Sequence, residues 1–184
     1  LTKYNGLLIS ARKIKLFQTK VWFLGYDIHQ STILPISRSI EFASKFLDEI
    51  LDKNQLQQFL GSLNYIAEFY KDLRKTCQPL FDRLKNNPPP WSSLHTSFVQ
   101  QVKKYVKTLP CLGIPAENSF KIIQTDTFDV GYGGILLQKI TPQSSEQIVR
   151  FHSGVWNKAH KNYSTIKQEI SSTVLGISKF KDDI

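Results

Sequence analysis

Thr125-Asp126-Thr127-Phe128-Asp129-Val130-Gly131-Tyr132-Gly133-Gly134-Ile135-Leu136-Leu137-Gln138 has the pattern of a β-hairpin. It closes one strand, Phe120-Lys121-Ile122-Ile123-Gln124-Thr125. It then turns at Asp129 to Gly131 and runs into a second strand, Gly131 to Gln138. Thr141-Pro142-Gln143-Ser144-Ser145 marks another turn, and Ile148-Val149-Arg150-Phe151-His152 reads as a third strand. From about Tyr163 to Phe180 the period changes to helical, with Ile166, Ile170, Val174 and Ile177 as the apolar stripe. Three sequential strands followed by a helix predict an antiparallel meander backed by that helix, in an α+β chain.

Two carboxylates on this frame could carry chemistry. Asp126 ends an apolar strand just before a turn, and Gly131, Gly133 and Gly134 in the partner strand leave room for something to approach closely. Glu169 sits mid-helix between Ile166 and Ile170. A strand-end carboxylate and one on a helix over the same sheet can converge. Converging carboxylates collect Mg²⁺ or Mn²⁺, and two such ions can support in-line attack on a phosphodiester. On spacing alone the signal is weak: an aspartate beside a turn is more often an ordinary turn residue, and a helix glutamate more often a surface one.

Outward toward the N-terminus lies a helix with Leu94, Phe98, Val102, Tyr105, Val106 and Leu109, capped by Ser92 or Ser93 and ending before Pro110. Its Lys103, Lys104 and Lys107 read as a solvated face. Asn86-Asn87-Pro88-Pro89-Pro90 is a stiff linker that no helix crosses. Residues 36–86 read as helices. Ile36, Ile40, Ala43, Leu47, Ile50 and Leu51 form one stripe. Asp52 caps a second helix, with Gln55 three residues on and Leu56, Phe59, Leu60, Leu63 and Ala67 on one face. Leu73, Leu80, Phe81 and Leu84 form a third, broken or started near Pro79. Residues 1–34 read as strands at Leu7-Leu8-Ile9, Val21-Trp22-Phe23-Leu24 and Tyr26-Asp27-Ile28.

Composition narrows the class. The 184 residues are 41% hydrophobic and 21% charged, which excludes wholesale disorder. The formal net charge of +9 favours a polyanionic partner. Lys3, Arg12, Lys13, Lys15 and Lys20 all precede the first acidic residue, Asp27. That edge reads equally as a phosphate-facing surface and as a charged edge strand that blocks aggregation. Cys77 and Cys111 cannot build a disulfide scaffold, and neither has a base nearby in sequence. His29, His95, His152 and His160 lack metal-ligand spacing. No apolar run reaches the length of a membrane span, so no membrane role is expected. The chain holds no methionine and begins at Leu1, so it reads as a piece of a longer protein.

The stretch from Thr125 to Gln138 also resembles the opening hairpin of the RNase H domain in retroelement polyproteins. Tyr163-Ser164-Thr165-Ile166-Lys167-Gln168-Glu169 is similar to that domain's first helix. Phe23-Leu24-Gly25-Tyr26-Asp27-Ile28 resembles the primer-grip hairpin at the end of a reverse transcriptase palm. Leu56-Gln57-Gln58-Phe59-Leu60-Gly61-Ser62-Leu63-Asn64-Tyr65, with Pro79-Leu80 after it, resembles the thumb of gypsy-type LTR retrotransposons and plant pararetroviruses. The wording leans towards the caulimovirus group, including tungro-type bacilliform viruses. Where that family commonly has Ala-Ser after the aspartate, this chain has Thr127-Phe128, so Phe128 requires an outward-facing or pocketed position.

The resemblance implies a division into the end of the palm over 1–34, a helical thumb over 35–87, a Pro-rich linker and connection helix over 88–117, and the first half of an RNase H-like domain over 118–184. It implies a polyprotein with RNA-directed DNA polymerase and RNase H activity, found in the host cytoplasm or the virus particle. Asp126 and Glu169 would be catalytic and metal-binding, with two Mg²⁺ or Mn²⁺ ions in the complete site. Leu24, Gly25, Lys53, Gln57, Gln58 and Asn64 would contact nucleic acid. The implied partners are an RNA–DNA hybrid, a primer–template duplex and the remainder of the polyprotein. Two alternatives stand beside it: a nucleic-acid-binding module that does not cut, and a helical adaptor with no nucleic-acid role. The adaptor leaves Asp126 and the +9 charge unexplained. Phe180-Lys181-Asp182-Asp183 copies the letters of a polymerase motif but reads as the end of the helix.

Overall fold

The computed structural model describes residues 17–184. The expected strand at Leu7-Leu8-Ile9, and the cluster Lys3, Arg12, Lys13 and Lys15, lie outside the described residues.

Three short strands open the described chain: β1 (Lys20–Phe23), β2 (Tyr26–His29) and β3 (Thr32–Pro35). Two-residue loops join them. Leu24 (φ 48°) with Gly25 (φ 90°), and Gln30 (φ 48°) with Ser31 (φ 60°), are all left-handed. Loops with positive φ at both central residues match the right-handed twist of the flanking strands. β3 was not foreseen, and neither was β4 (Leu112–Gly113), which pairs with it antiparallel. The segment after the linker thus returns to the first hairpin and makes a four-stranded sheet, ordered β1-β2-β3-β4.

The helical layer contains α1 (Ser37–Ser44), α2 (Lys53–Ser62), a 3₁₀ stretch over Leu63–Phe69, α3 (Leu73–Asp82) and α4 (Ser93–Val106). Asp52 caps α2 as expected, its Oδ1 accepting the Gln55 N–H at 2.8 Å. The stripe through Leu51 is corrected: α1 stops at Ser44, and Leu47 and Leu51 are exposed while Ala43 and Ile50 are buried. Pro79 neither breaks nor starts α3, which runs through it. Leu94 faces solvent. Lys103 leaves the solvated face predicted for it, because its ammonium pairs with Asp48 at 2.6 Å and donates to the Phe46 carbonyl. Leu56, Phe59, Leu60, Leu63, Leu80, Val99 and Val102 form the core of this layer.

The second sheet is the predicted meander: β5 (Phe120–Phe128), β6 (Gly131–Lys139) and β7 (Gln147–Val155), ordered β5-β6-β7. Gln138, buried in β6, fills its hydrogen-bonding capacity at the Ile114 carbonyl, Gln147, Ser119 and the Ala116 N–H, which pins the sheet to the chain before it. α5 (Thr165–Phe180) lies over β5 and β6. Its packing corrects the periodicity reading. Ile166 is 73% and Val174 59% exposed, and Ile170 and Ile177 are exposed too. Ser172, Gly176 and Phe180 are buried instead. A methyl at Gly134 would come 3.3 Å from the Phe180 ring, and one at Gly176 would come 2.9 Å from Thr125. The helix therefore approaches through small residues and one aromatic anchor, which joins Leu136 and Val149 in the core. Phe180-Lys181-Asp182-Asp183 ends the helix in a turn, as expected, with no flanking strands.

The two layers share a core. Phe69 of the 3₁₀ stretch, Leu112 of β4 and Phe151 of β7 pack together, with Tyr26 of the hairpin against them. No helix of the described residues is long and apolar enough to cross a membrane.

Candidate metal centre and nucleic-acid interface

Asp126 and Glu169 meet at one residue. Glu169 Oε1 accepts the Thr127 hydroxyl at 2.7 Å, and Asp126 Oδ1 accepts the Thr127 backbone N–H at 2.9 Å. A second threonine pair, Thr125 with Thr173 at 3.2 Å, fixes the helix one turn further along. Thr125 and Thr127 therefore share the α5 face of β5. Strand alternation sends the Asp126 Cβ to the other face, opposite Gly133. β5 is the end strand, so its outer edge gives both carboxylates access to solvent, and both residues are exposed. Carboxylate oxygens are hard donors of the kind that Mg²⁺ takes, and here they approach Thr127 from opposite faces of β5. Thr127 was not singled out from sequence. The signal was its place in the strand, one residue beyond Asp126 and on the helix side.

The glycines are filled from within. Asp72, which precedes α3, lays its carboxylate over Gly133, and Phe180 lies under Gly134. Asp72 thus shares a face and a small cleft with Asp126 and Lys71. Phe128 is half-buried: the Lys75 ammonium sits 4.9 Å from its ring centroid, and Trp156 Nε1 donates to its carbonyl at 3.1 Å.

The six candidate nucleic-acid contacts fall in four places. Leu24 and Gly25 form the tip of the β1–β2 hairpin. Leu24 is 73% exposed in a left-handed conformation, a combination that costs a bulky residue about 1–2 kcal/mol. Gln57 and Gln58 are exposed on α2, and Gln58 lines an open groove of about 540 Å³ with Arg38, Phe42, Gly61 and Tyr65. Lys53 lies at the opposite end of α2, beside Arg83 and Lys85. Asn64 faces a different cavity, between the helical layer and β7.

Gly61 is informative because nothing among the described residues requires it. A methyl there would meet nothing within 4 Å. A helical glycine costs about 0.5–1 kcal/mol against alanine. Sequence reading quoted Gly61 without giving it a role.

His152 of β7 contributes a pH dependence. Burial first, then Lys179, Arg150 and Arg74, push its pKa down to about 4. Near neutral pH both folded and unfolded chains hold it neutral. Below about 6.5 the unfolded chain takes up a proton that the folded one refuses until about 4. Stability is therefore expected to fall as pH drops through that window. Urea midpoints for the wild type and His152→Gln check this: the variant should lose part of the acid-side slope, and an identical slope would contradict it.

A family model described as the RNase H-like domain found in reverse transcriptase matches residues 91–184. Over 176 residues the chain is 35% identical to the enzymatic polyprotein of Carnation etched ring virus, covering 95% of the chain and 26% of that protein. Over 180 residues it is 35% identical to the genome polyprotein of Petunia vein clearing virus, covering 98% and 8%. The chain thus spans about a quarter or less of the curated relatives it matches. A solved foamy viral protease–reverse transcriptase in complex with an RNA/DNA hybrid superposes with a TM-score of 0.75 at 17% identity, over 93% of this chain and 23% of that one. That likeness concerns the fold.

Proposed function

Because the chain belongs to the family of RNase H-like domains found in reverse transcriptases, we propose that it is the part of a pararetroviral polyprotein that grips a duplex and supplies two carboxylates to a hybrid-cutting site. The carrying observation is Thr127, which bonds Glu169 through its hydroxyl and Asp126 through its N–H. The residues before 88 act as the end of a palm and a thumb, and those after 117 as the first half of an RNase H-like domain.

Asp126 and Glu169 would hold Mg²⁺ or Mn²⁺. When bound, the ions activate water and stabilise the leaving oxygen. The chain's own residues do the positioning. Thr127 holds the Glu169 carboxylate, and Phe180 and the small residues of α5 hold the helix at its height over β5. In the parent polyprotein, metal-dependent cleavage of the RNA strand of an RNA–DNA hybrid is the expected activity. Cleavage that persists with the metal chelated would contradict this assignment.

The duplex would cross the hairpin tip and the groove at the end of α2. Arg38 supplies charge there, Gln58 and Tyr65 polar and aromatic contacts, and bare Gly61 a place for close backbone approach. Gly61→Leu separates this role from a structural one. The substitution should leave thermal stability equal or raised by up to about 1 kcal/mol. It should weaken hybrid binding about tenfold or more in fluorescence anisotropy, which is about 1.4 kcal/mol. Unchanged binding would remove the groove from the interface. Wild-type binding should also weaken steeply with added salt.

A second reading, a duplex-binding module that does not cut, is favoured by strand alternation, which sends the Asp126 side chain to the face of β5 away from Glu169. It predicts salt-dependent binding with no cleavage in the parent polyprotein.

A further inference from the structure

The cavity of about 270 Å³ between the helical layer and β7 lies apart from the carboxylate pair and from the groove at the end of α2, and of the six candidate nucleic-acid contacts Asn64 alone lines it. Leu60, Leu63, Leu73 and Phe81 give it apolar walls, and Tyr26 of the hairpin also faces it. Its polar lining is unbalanced. Arg74 comes from α3, Arg150 from β7 and Lys179 from α5, against one carboxylate, Glu68. Asn64, Cys77, His152 and Ser153 complete it. We propose that this cavity binds a small phosphate-type oxyanion, held by Arg74, Arg150 and Lys179 between the helical layer and the second sheet.

Arg150 is already fixed in place. Its Nη1 lies 3.4 Å from Glu68 Oε1, its Nη2 donates to the Lys179 carbonyl at 3.0 Å and pairs with Asp183, and its guanidinium lies 5.4 Å from the Phe180 ring centroid. Its Nε is buried without a partner. A guanidinium with a spare buried donor is suited to a tetrahedral oxyanion. Arg74 lies with its guanidinium 4.5 Å from the Phe81 ring centroid, and its backbone N–H donates to Ser153 Oγ at 3.1 Å, so α3 and β7 are tied at the cavity wall. The volume is just below the roughly 300 Å³ at which drug-sized pockets begin, and it holds a phosphate with water to spare. Arg150 is largely withdrawn from solvent while Arg74 and Lys179 are exposed at the cavity mouth. A small free anion can therefore enter and reach all three, whereas a backbone phosphate would have to bring its strand between the layers.

His152 reports on the site. The charged or titratable groups around it are Arg74, Arg150, Lys179, Glu68, Asp183, Cys77, Tyr26 and Tyr132, whose ring centroid lies 5.8 Å from the imidazole; burial raises both tyrosines, so they stay neutral. Burial raises the Cys77 thiol to about 12, so it stays neutral. Three cations near the imidazole oppose its protonation, and an anion among them would relieve that opposition. The test follows the His152 ring protons by NMR through a pH titration of the 184-residue chain, with and without inorganic phosphate. Phosphate should raise the His152 midpoint by about one unit, a tenfold change in proton affinity. It should also raise the melting temperature. Arg74→Gln with Lys179→Gln should abolish both effects and leave the fold intact, since neither side chain carries an ion pair among the described residues. A midpoint that ignores phosphate, or moves equally in the double variant, overturns the proposal. A short RNA–DNA hybrid that moves His152 where phosphate does not would overturn it in favour of a backbone phosphate.

Discussion

Asp126→Asn is expected to abolish hybrid cleavage by the parent polyprotein while leaving hybrid binding within about threefold. The carboxylate is exposed and its one recorded bond is to its neighbour's N–H. An asparagine Oδ1 can keep that bond, so the fold should not register the change. What the change would remove is a negative oxygen from the proposed metal site. A metal that no longer sits correctly forfeits several kcal/mol of transition-state stabilisation, at least about a hundredfold in rate. Glu169→Gln should behave alike, with the Thr127 hydroxyl still bonded to the remaining carbonyl oxygen. Gel-resolved cleavage of a labelled hybrid, paired with anisotropy binding, checks both. Loss of binding together with cleavage would mean that the residues hold the structure or the duplex rather than the metal.

Phe180→Ala should be the most damaging single change in the second sheet. The ring is fully buried, lies under Gly134, presents an edge to His152 and receives the Arg150 guanidinium. Truncating a buried phenylalanine costs about 3–5 kcal/mol, a large share of the 5–15 kcal/mol that holds a typical domain. Because the inward face of α5 is otherwise small, little can collapse into the void. The helix should loosen and take Glu169 away from Thr127. Urea denaturation should show a lowered midpoint, and amide exchange should quicken along α5 before the helical layer. A loss below about 1 kcal/mol would show that another contact anchors the helix.

The meander was legible because its signals were local. Turn residues bracket each strand, and short apolar runs fill them, Ile122-Ile123 in β5, Ile135-Leu136-Leu137 in β6 and Ile148-Val149 in β7. The Asp52 cap was equally local. What sequence misread depends on partners far along the chain. Ile166, Ile170, Val174 and Ile177 have helical spacing, but periodicity says only that a face is apolar, not what meets it. The sheet beneath α5 presents Gly134, Thr125 and Thr127, so small residues face it instead. Lys103 left solvent because Asp48, 55 residues away, waits for it. β4 is two residues long and exists because β3 lies beside it. At the site, the two carboxylates could be chosen from residue type and resemblance. Their common partner Thr127, and Asp72 over Gly133, could not, since both depend on how strand, helix and helical layer are stacked.

If Asp126 and Glu169 form one metal site around Thr127, a bound ion must sit beside that residue. A paramagnetic ion broadens what lies near it, so Mn²⁺ can be titrated into the chain while its amide spectrum is recorded. Broadening is expected to centre on Thr127 and its neighbours in β5 and early α5, and to vanish in Asp126→Asn and in Glu169→Gln. Broadening centred elsewhere, or unchanged in both variants, would mean that the two carboxylates do not share an ion.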